Sequence, residues 1–339
     1  MAVYTQLGAE ALAEIIAAFD VGQLTSAKGI AEGVSNSNWL IETAGRGGAG
    51  KKAGGTRFIL TMYEQRMDAA ELPFFLGLLD HLAARGCPVP RTIHDRDNHA
   101  FRFHEGKALA LIEFLPGVSV STPSPAQVRA VGEALARVHL AAGDFAGKRA
   151  NSLGLVEWQA LAKACGRDGL NAIHPELAAL VTRELAALAR HWPQDLPRSV
   201  IHADLFPDNV LMLDDAVTGL IDFYFACNDI TAYDVAVTHA AWCFSADGRT
   251  FDRAVSDALL TGYETMRPLS DEERAELPIL ARGAAMRFLM TRAYDWMNTP
   301  GDAMVTRKDP MAFARRLEFY ADPINVDLFD PCPPVPIRN

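Results

Sequence analysis

Val200-Ile-His-Ala-Asp-Leu-Phe-Pro-Asp-Asn-Val-Leu-Met-Leu213, followed after a short turn by Val217-Thr-Gly-Leu-Ile-Asp-Phe223, is the stretch on which the fold is read. It reads as a loop carrying His202, Asp204 and Asn209 between a Pro-bounded helix and a β-hairpin, with Asp222 ending the second strand. An Asp, an Asn five residues on and a second Asp thirteen residues later are thus gathered around one turn. One carboxylate can accept the proton of an attacking hydroxyl. An amide oxygen and a second carboxylate can hold Mg²⁺ against ATP, so the set suits phosphoryl transfer.

The bulk of the chain is compatible with that chemistry. Its 339 residues suffice for two lobes, each with its own core. Half are hydrophobic and 22% charged, the balance of a soluble globular protein, and a net charge of -10 argues against nucleic acid or an anionic membrane as partner. Five scattered cysteines form no C-x-x-C pair and read as core residues in a reducing compartment. The N-terminus has no signal-peptide pattern and no apolar run approaches the ~20 residues of a membrane span, so a cytoplasmic location is expected.

Upstream, Leu12, Ile15, Ile16 and Phe19 form one face of a short helix. Gly29 and Gly33 flank an expected tight turn before the β-rich run that begins at Trp39 and Ile41. Such a turn is either a plain hairpin or a place where backbone N–H groups approach phosphate oxygens, with Ser35, Asn36, Ser37 and Asn38 adding side-chain donors. Residues 44–56 are rich in Gly and Lys, and Lys52 is followed by Ala53 rather than Ser or Thr, so they read as a flexible hairpin tip, not a P-loop. A strand resumes at Arg57–Tyr63, and Asp68–Arg85 reads as a helix stopped by Gly86. Its Glu71 completes a capping box with Asp68 or serves as an active-site carboxylate that positions a cation. Phe101–Phe103 and Ala108–Leu115 read as strands. The second runs into Pro116-Gly117, an ordinary strand end or a hinge where Glu113 and Leu115 offer backbone groups to adenine.

Downstream, Ser124-Pro125-Ala-Gln127 is a helix start, and His139 near that helix's end reads as a satisfied core residue. Asp229 and Asp234 are candidate ligands whose simpler role is capping and bracing, with an apolar helix expected over Val235–Phe244. On the helix Arg282–Trp296, Phe288, Thr291 and Asp295 share one face and Arg287, Met290 and Tyr294 a neighbouring one. Arg287 is either solvated or a bidentate grip on an acceptor carboxylate. The Pro-rich tail from Asp330 reads as an extended end.

With these pieces placed, the chain resembles the aminoglycoside-phosphotransferase and choline-kinase branch of the protein-kinase-like fold, through His202-Ala-Asp204, Asn209 and Ile221-Asp-Phe223. Gly29-Ile-Ala-Glu-Gly33 with Asn36-Ser-Asn38, Leu72-Pro-Phe-Phe75, Gly86-Cys-Pro-Val-Pro90, Leu205-Phe-Pro-Asp208, Tyr224-Phe-Ala-Cys227, Ala241-Trp-Cys-Phe244 and Arg287-Phe-Leu289 narrow it to the bacterial homoserine kinases built on this fold. The resemblance implies an α+β bilobal fold: an N-terminal lobe of antiparallel sheet plus helix over 1–112, a hinge at 113–117, and a larger, mainly helical lobe over 118–339. It implies ATP and Mg²⁺ as cofactors and phosphorylation of the side-chain hydroxyl of L-homoserine, a step toward threonine. Asp204 would be the catalytic base, Asn209 and Asp222 the metal ligands, and Gly29, Gly33, Ser35, Ser37, Asn38, Glu113 and Leu115 the ATP contacts. Tyr224 and Arg287 would bind the acceptor, and His202, Glu71 and Asp234 would support the site. Thr61 stands where the family's strand places a phosphate-binding Lys or Arg, and Lys28 or Arg66 is the expected substitute. Two other readings remain at this stage. One is a kinase for a different small hydroxyl acceptor such as an aminoglycoside, choline or an amino alcohol. The other is a catalytically silent nucleotide-binding module.

Overall fold

A computed structural model of the chain describes residues 5–30, 36–44, 56–64, 68–299 and 307–330. The chain divides into two compact units, Met1–Pro116 with Phe145–Gly147, and Gly117–Asp144 with Lys148–Asn339.

The first unit contains α1 (Ala9–Ala17), β1 (Gln23–Ile30), β2 (Asn36–Ala44), β3 (Thr56–Tyr63), α2 (Leu72–Ala84), β4 (Thr92–Ile93), β5 (Arg102–His104) and β6 (Lys107–Glu113). The strands form one antiparallel sheet in the order β1-β2-β3-β6-β4, with β5 also on β6. The two-residue alternation of a strand sends Trp39, Ile41, Phe58, Leu60, Met62, Leu109 and Leu111 to one face, where Leu12, Ile15, Ile16 and Phe19 from α1 and its end cover them. The register Lys28↔Leu40↔Ile59 puts Lys28 on the other face, with Thr61 one pleat on from Ile59. Ahead of α2, residues Ala69–Glu71 form a separate 3₁₀ turn, and Asp68 caps it through the Ala70 N–H. Gly86, at φ +75°, ends the helix as expected.

The second unit contains α3 (Pro125–Ala141), α4 (Leu155–Ile173), α5 (Leu177–His191), β7 (Arg198–Ile201), β8 (Val210–Leu213), β9 (Ala216–Leu220), β10 (Cys227–Ile230), α6 (Thr231–Trp242), α7 (Arg253–Met266), α8 (Asp271–Asn298) and α9 (Met311–Ala321). Every residue of α6 is buried, which explains an apolar run with no polar face: it is the axis on which the unit packs. Ser124 and Gln127 form the expected capping box of α3. A sheet-plus-helix unit followed by a larger helical one is the α+β arrangement expected from the sequence. Among the described residues, no helix is long and apolar enough to cross a membrane, and Cys87, Cys165, Cys227 and Cys243 are buried free thiols. Gly33, Ser35, Arg66, the 45–55 tip, Cys332 and the tail beyond Asp330 lie outside the described residues.

Candidate active site

Two short antiparallel pairings build the site from the opening stretch. In the first, β7 pairs with β10 in the register Ile201↔Cys227, so the chain leaves this ladder at His202 and re-enters it at Cys227. The second is the β8–β9 hairpin, in which Val210 faces Leu220. The Ile221 N–H donates to the Asn209 carbonyl at 3.0 Å, carrying the pairing one step further. Asn209 and Asp222 are thereby held at one end of the hairpin. The sequence reading expected the loop to follow directly from the helix. Neither β7 nor β10 was expected, because four-residue strands paired across 26 residues of chain carry little local signal.

Hydrogen bonds then fix the loop. The Asp234 carboxylate accepts from the backbone N–H groups of His202 and Ala203, each at 2.7 Å, and from His139 Nε2 at 2.9 Å. Burial alone would raise this carboxyl, but the hydrogen bond and charge of His139 and the His202 contacts hold it below the usual carboxylate range. Asp234 is the fourth residue of α6, not its cap, so the capping half of its expected role gives way to bracing. His202 is fully buried, and burial lowers its pKa. Its Nε2 donates to the Ile221 carbonyl at 3.0 Å and its Nδ1 accepts the Asp204 N–H at 3.2 Å. One neutral tautomer satisfies both, and His202 thus ties the Asp204 loop to the Asp222 loop. Trp242 Nε1 donates to the Leu205 carbonyl at 2.8 Å from the far end of α6.

Ala203 and Asp222 both sit at positive φ (63° and 64°), a conformation that costs of order 1 kcal/mol or more away from glycine and is held here by the surrounding bonds. Asn209 Nδ2 donates to the Asp204 carbonyl at 2.8 Å and faces its carboxylate at 3.3 Å, which turns the Asn209 amide oxygen away as a free-standing acceptor. Burial raises the Asp204 carboxyl to about 7. The Arg287 charge opposes the rise, while Asp222 and Asp208 reinforce it. The Asp222 side chain still reaches solvent, yet the protein packed around it, together with Asp208, raises its carboxyl to about 6. The two carboxyls beside an outward amide oxygen are the hard oxygen donors that Mg²⁺ takes, and a cation there would lower both values.

Arg287 on α8 is buried beside this loop. Its guanidinium donates to the Ala203 carbonyl and lies 3.9 Å from the Asp204 carboxylate. Within the second unit, Asp204 and Arg287 line a cavity of about 290 Å³ together with Leu153, Leu161, Phe225, Phe288, Thr291, Tyr294 and Asp295. At ~100° per residue, the five α8 residues occupy one arc of about 120°, so the two faces read from the sequence are a single wall.

Several expected site residues stand elsewhere. Ser37 is fully buried and its hydroxyl donates to Glu64 at 2.7 Å, next to the Lys107–Glu64 ion pair, so its side chain does not serve the phosphate turn. It shares parity with Trp39 and Ile41, a signal that could have placed it on the core face. Gly29 lies inside β1 opposite Trp39, not at the turn. Asn38 accepts the Thr61 hydroxyl at 2.8 Å. The Glu113 N–H donates to the Arg91 carbonyl and its carboxylate takes the Arg91 guanidinium at 3.0 and 3.1 Å, which removes that N–H from the hinge reading. Phe225, not Tyr224, lines the cavity; the Tyr224 N–H instead bonds the Asp222 carboxylate.

This geometry has close relatives. Residues 26–269 match the model of the phosphotransferase enzyme family, and the chain belongs to that family. It is 49% identical to a homoserine kinase of Azorhizobium caulinodans and 50% identical to one of Gluconacetobacter diazotrophicus, covering 94% of this chain and 96% and 97% of those. Among solved structures it is similar to amicoumacin kinase hAmiN in complex with AMP-PNP, Ca²⁺ and Ami, at a TM-score of 0.68 with 14% identity over 93% of this chain and 94% of that one. It is also similar to a microcompartment-associated aminopropanol kinase, at 0.61 with 17% identity over 93% and 94%. The fold is therefore the protein-kinase-like one.

Proposed function

We propose that this phosphotransferase transfers the γ-phosphoryl group of ATP to the side-chain hydroxyl of L-homoserine. The reading rests on Asp204 lining a small cavity beside a phosphotransferase loop, in a chain about half identical to homoserine kinases over nearly its whole length. At about 290 Å³ the cavity lies at the small end of ligand pockets, in keeping with a small polar acceptor. Asp204 orients the acceptor hydroxyl and takes its proton. In a loose transition state positioning and electrostatics carry much of the rate, so a carboxylate whose pKa a bound cation lowers still serves as the base. The Asn209 amide oxygen and the Asp222 carboxylate would hold Mg²⁺, which neutralises phosphate charge when bound. Arg287, the one cation among the lining residues, is assigned the acceptor carboxylate. In the first unit the Glu113 carbonyl and Leu115 amide are assigned to adenine. Lys28, on the same sheet face as Thr61, is assigned the phosphate charge that Thr61 lacks.

The test is a coupled ADP assay with Mg-ATP and a panel of acceptors. Homoserine should give the largest kcat/KM, and Asp204→Asn should lower kcat by about 10²–10⁴-fold, the range for losing a positioned acid–base group. ADP release with another acceptor and none with homoserine would discard the substrate. ATP binding without turnover on any acceptor would favour a silent module.

A further inference from the structure

The Arg287 guanidinium is steered by groups that take no part in phosphoryl transfer themselves. It donates to the Ala203 carbonyl, and its carbon lies 4.7 Å from the Phe288 ring centre and 5.3 Å from that of Phe225. A further contact comes from α6. Tyr233 is fully buried there, and its hydroxyl meets the Arg287 guanidinium. Burial pushes the phenol above its usual range, and the charge and hydrogen bond of Arg287 act against that rise. The phenol stays protonated, and its oxygen accepts from the guanidinium.

The Tyr233 ring is itself held. Its centre lies 5.5 Å from that of Trp192, at 76°, and 6.4 Å from that of Trp158, while the two indoles meet edge to face at 5.3 Å. Trp158 Nε1 donates to the Leu153 carbonyl at 2.6 Å, and Leu153 lines the cavity. The indoles are seated on α8 at Gly283, one turn before Arg287. A Cβ there would lie 2.2 Å from Trp192 Cζ3 and 3.1 Å from Trp158 Cη2. Packing this close leaves the Tyr233 ring little room to shift against the Arg287 turn. Asp234, the next residue of α6, takes the N–H groups of His202 and Ala203, while Arg287 takes the Ala203 carbonyl. Two successive α6 residues thus set both the Asp204 loop and the arginine beside it.

We propose that Tyr233 is a positioning residue for Arg287: its buried hydroxyl orients the guanidinium toward an acceptor carboxylate and so favours hydroxy acids over hydroxy amines that lack one. The inference rests on the assignment of Arg287 to the acceptor carboxylate above and names the residue that makes that grip specific. A guanidinium carries five N–H donors. With Ala203 and Tyr233 taking one each, enough remain for a bidentate carboxylate. An arginine held beforehand also loses less rotamer freedom when it closes on the anion.

The experiment measures kcat and KM for homoserine and for 3-aminopropan-1-ol (no carboxylate) in the wild type, Tyr233→Phe, Arg287→Lys and the double variant. Where a compound is not phosphorylated, its inhibition constant against a turned-over acceptor replaces KM. Phenylalanine keeps the ring and its packing, so Tyr233→Phe removes the hydroxyl alone. It should raise the homoserine KM about 10-fold, ~1.4 kcal/mol, while kcat and the 3-aminopropan-1-ol constant stay within about 2-fold. In the Arg287→Lys background the same change should add no further loss, because its effect passes through the guanidinium. Equal losses on both acceptors, an unchanged homoserine KM, or additive losses in the double variant would overturn the role of Tyr233, since a merely structural role lowers both acceptors alike. If Arg287→Lys removes the preference for homoserine and Tyr233→Phe does not, the positioning falls and the carboxylate assignment stands. If Arg287→Lys lowers both acceptors alike, the carboxylate assignment falls and the role of Tyr233 falls with it. The two-acceptor comparison in Tyr233→Phe decides by itself should the Arg287→Lys chain not fold.

Discussion

Asp204 and Asp222 are held apart from water-like behaviour by the same means, burial and neighbouring negative charge, but they differ in their partners. Asp204 has Arg287 at 3.9 Å and the Asn209 amide at 3.3 Å, so its charge is partly met within the protein. The Asp222 carboxyl receives the Tyr224 N–H, forms no ion pair among the described residues and reaches solvent, which suits the metal-ligand role proposed for it. Asp222→Asn should therefore raise the Mg²⁺ concentration for half-maximal rate by about an order of magnitude, the ~10–100-fold scale on which coordination-shell changes act. Titrating Mg²⁺ at fixed ATP measures it, and an unshifted titration would remove Asp222 from the metal site. The grouping of Asp204, Asn209 and Asp222 was legible because the three lie within 19 residues of one loop and hairpin. Ser37 and Tyr224 were misassigned because adjacent residues on a strand or tight turn point in different directions. One position decides between a core hydroxyl and a site donor, or between Tyr224 and Phe225.

At the scale of elements, α3 and α7 approach each other closely. A Cβ on Gly132 would stand 2.3 Å from the Leu259 carbonyl oxygen, and one on Gly262 would stand 2.1 Å from that of Arg129. The two glycines let backbone meet backbone on both sides of one crossing. The crossing matters to the site because α3 carries His139 and α7 carries Tyr263, whose hydroxyl lies 2.8 Å from His139 Nδ1, and His139 in turn holds Asp234 under the catalytic loop. Gly262→Ala should cost about 1–3 kcal/mol by overpacking and lower kcat through the displaced His139. Urea unfolding with parallel assays would reveal both effects, and an unchanged midpoint would refute the close contact. The sequence reading located the start of α3, but neither α7 nor the fact that the two helices touch through glycine.

For the molecule as a whole, buried His239 of the second unit sets an acid limit. His239 is fully buried between Tyr320 and Ser256, at 2.6 and 2.8 Å, and burial pushes its pKa down to about 3. The unfolded chain binds that proton near pH 6.5 and the folded one does not. His239 therefore contributes stability above about 6.5 that is lost as pH falls toward 3, by ~1.4 kcal/mol per pH unit. Asp204 and Asp222, raised to about 7 and 6, act in the opposite sense over part of the same range, so a single melting curve mixes the effects. Comparison with His239→Gln isolates the histidine. The stability gap between wild type and variant should narrow from pH 7 to 5, and a constant gap would show that His239 takes up a proton while folded.

What the sequence determined by itself was whatever is encoded over short distances: the spacing of Asp204, Asn209 and Asp222, the capping box at Ser124 and the motifs whose resemblance to the family implied the α+β fold. These depend on periodicity and on residues fixed by a single turn. What only the tertiary structure decided depends on pairing across distant segments. The β7–β10 ladder closes the loop, Asp234 lies beneath it, and Arg287 comes to Asp204 from a helix 83 residues later.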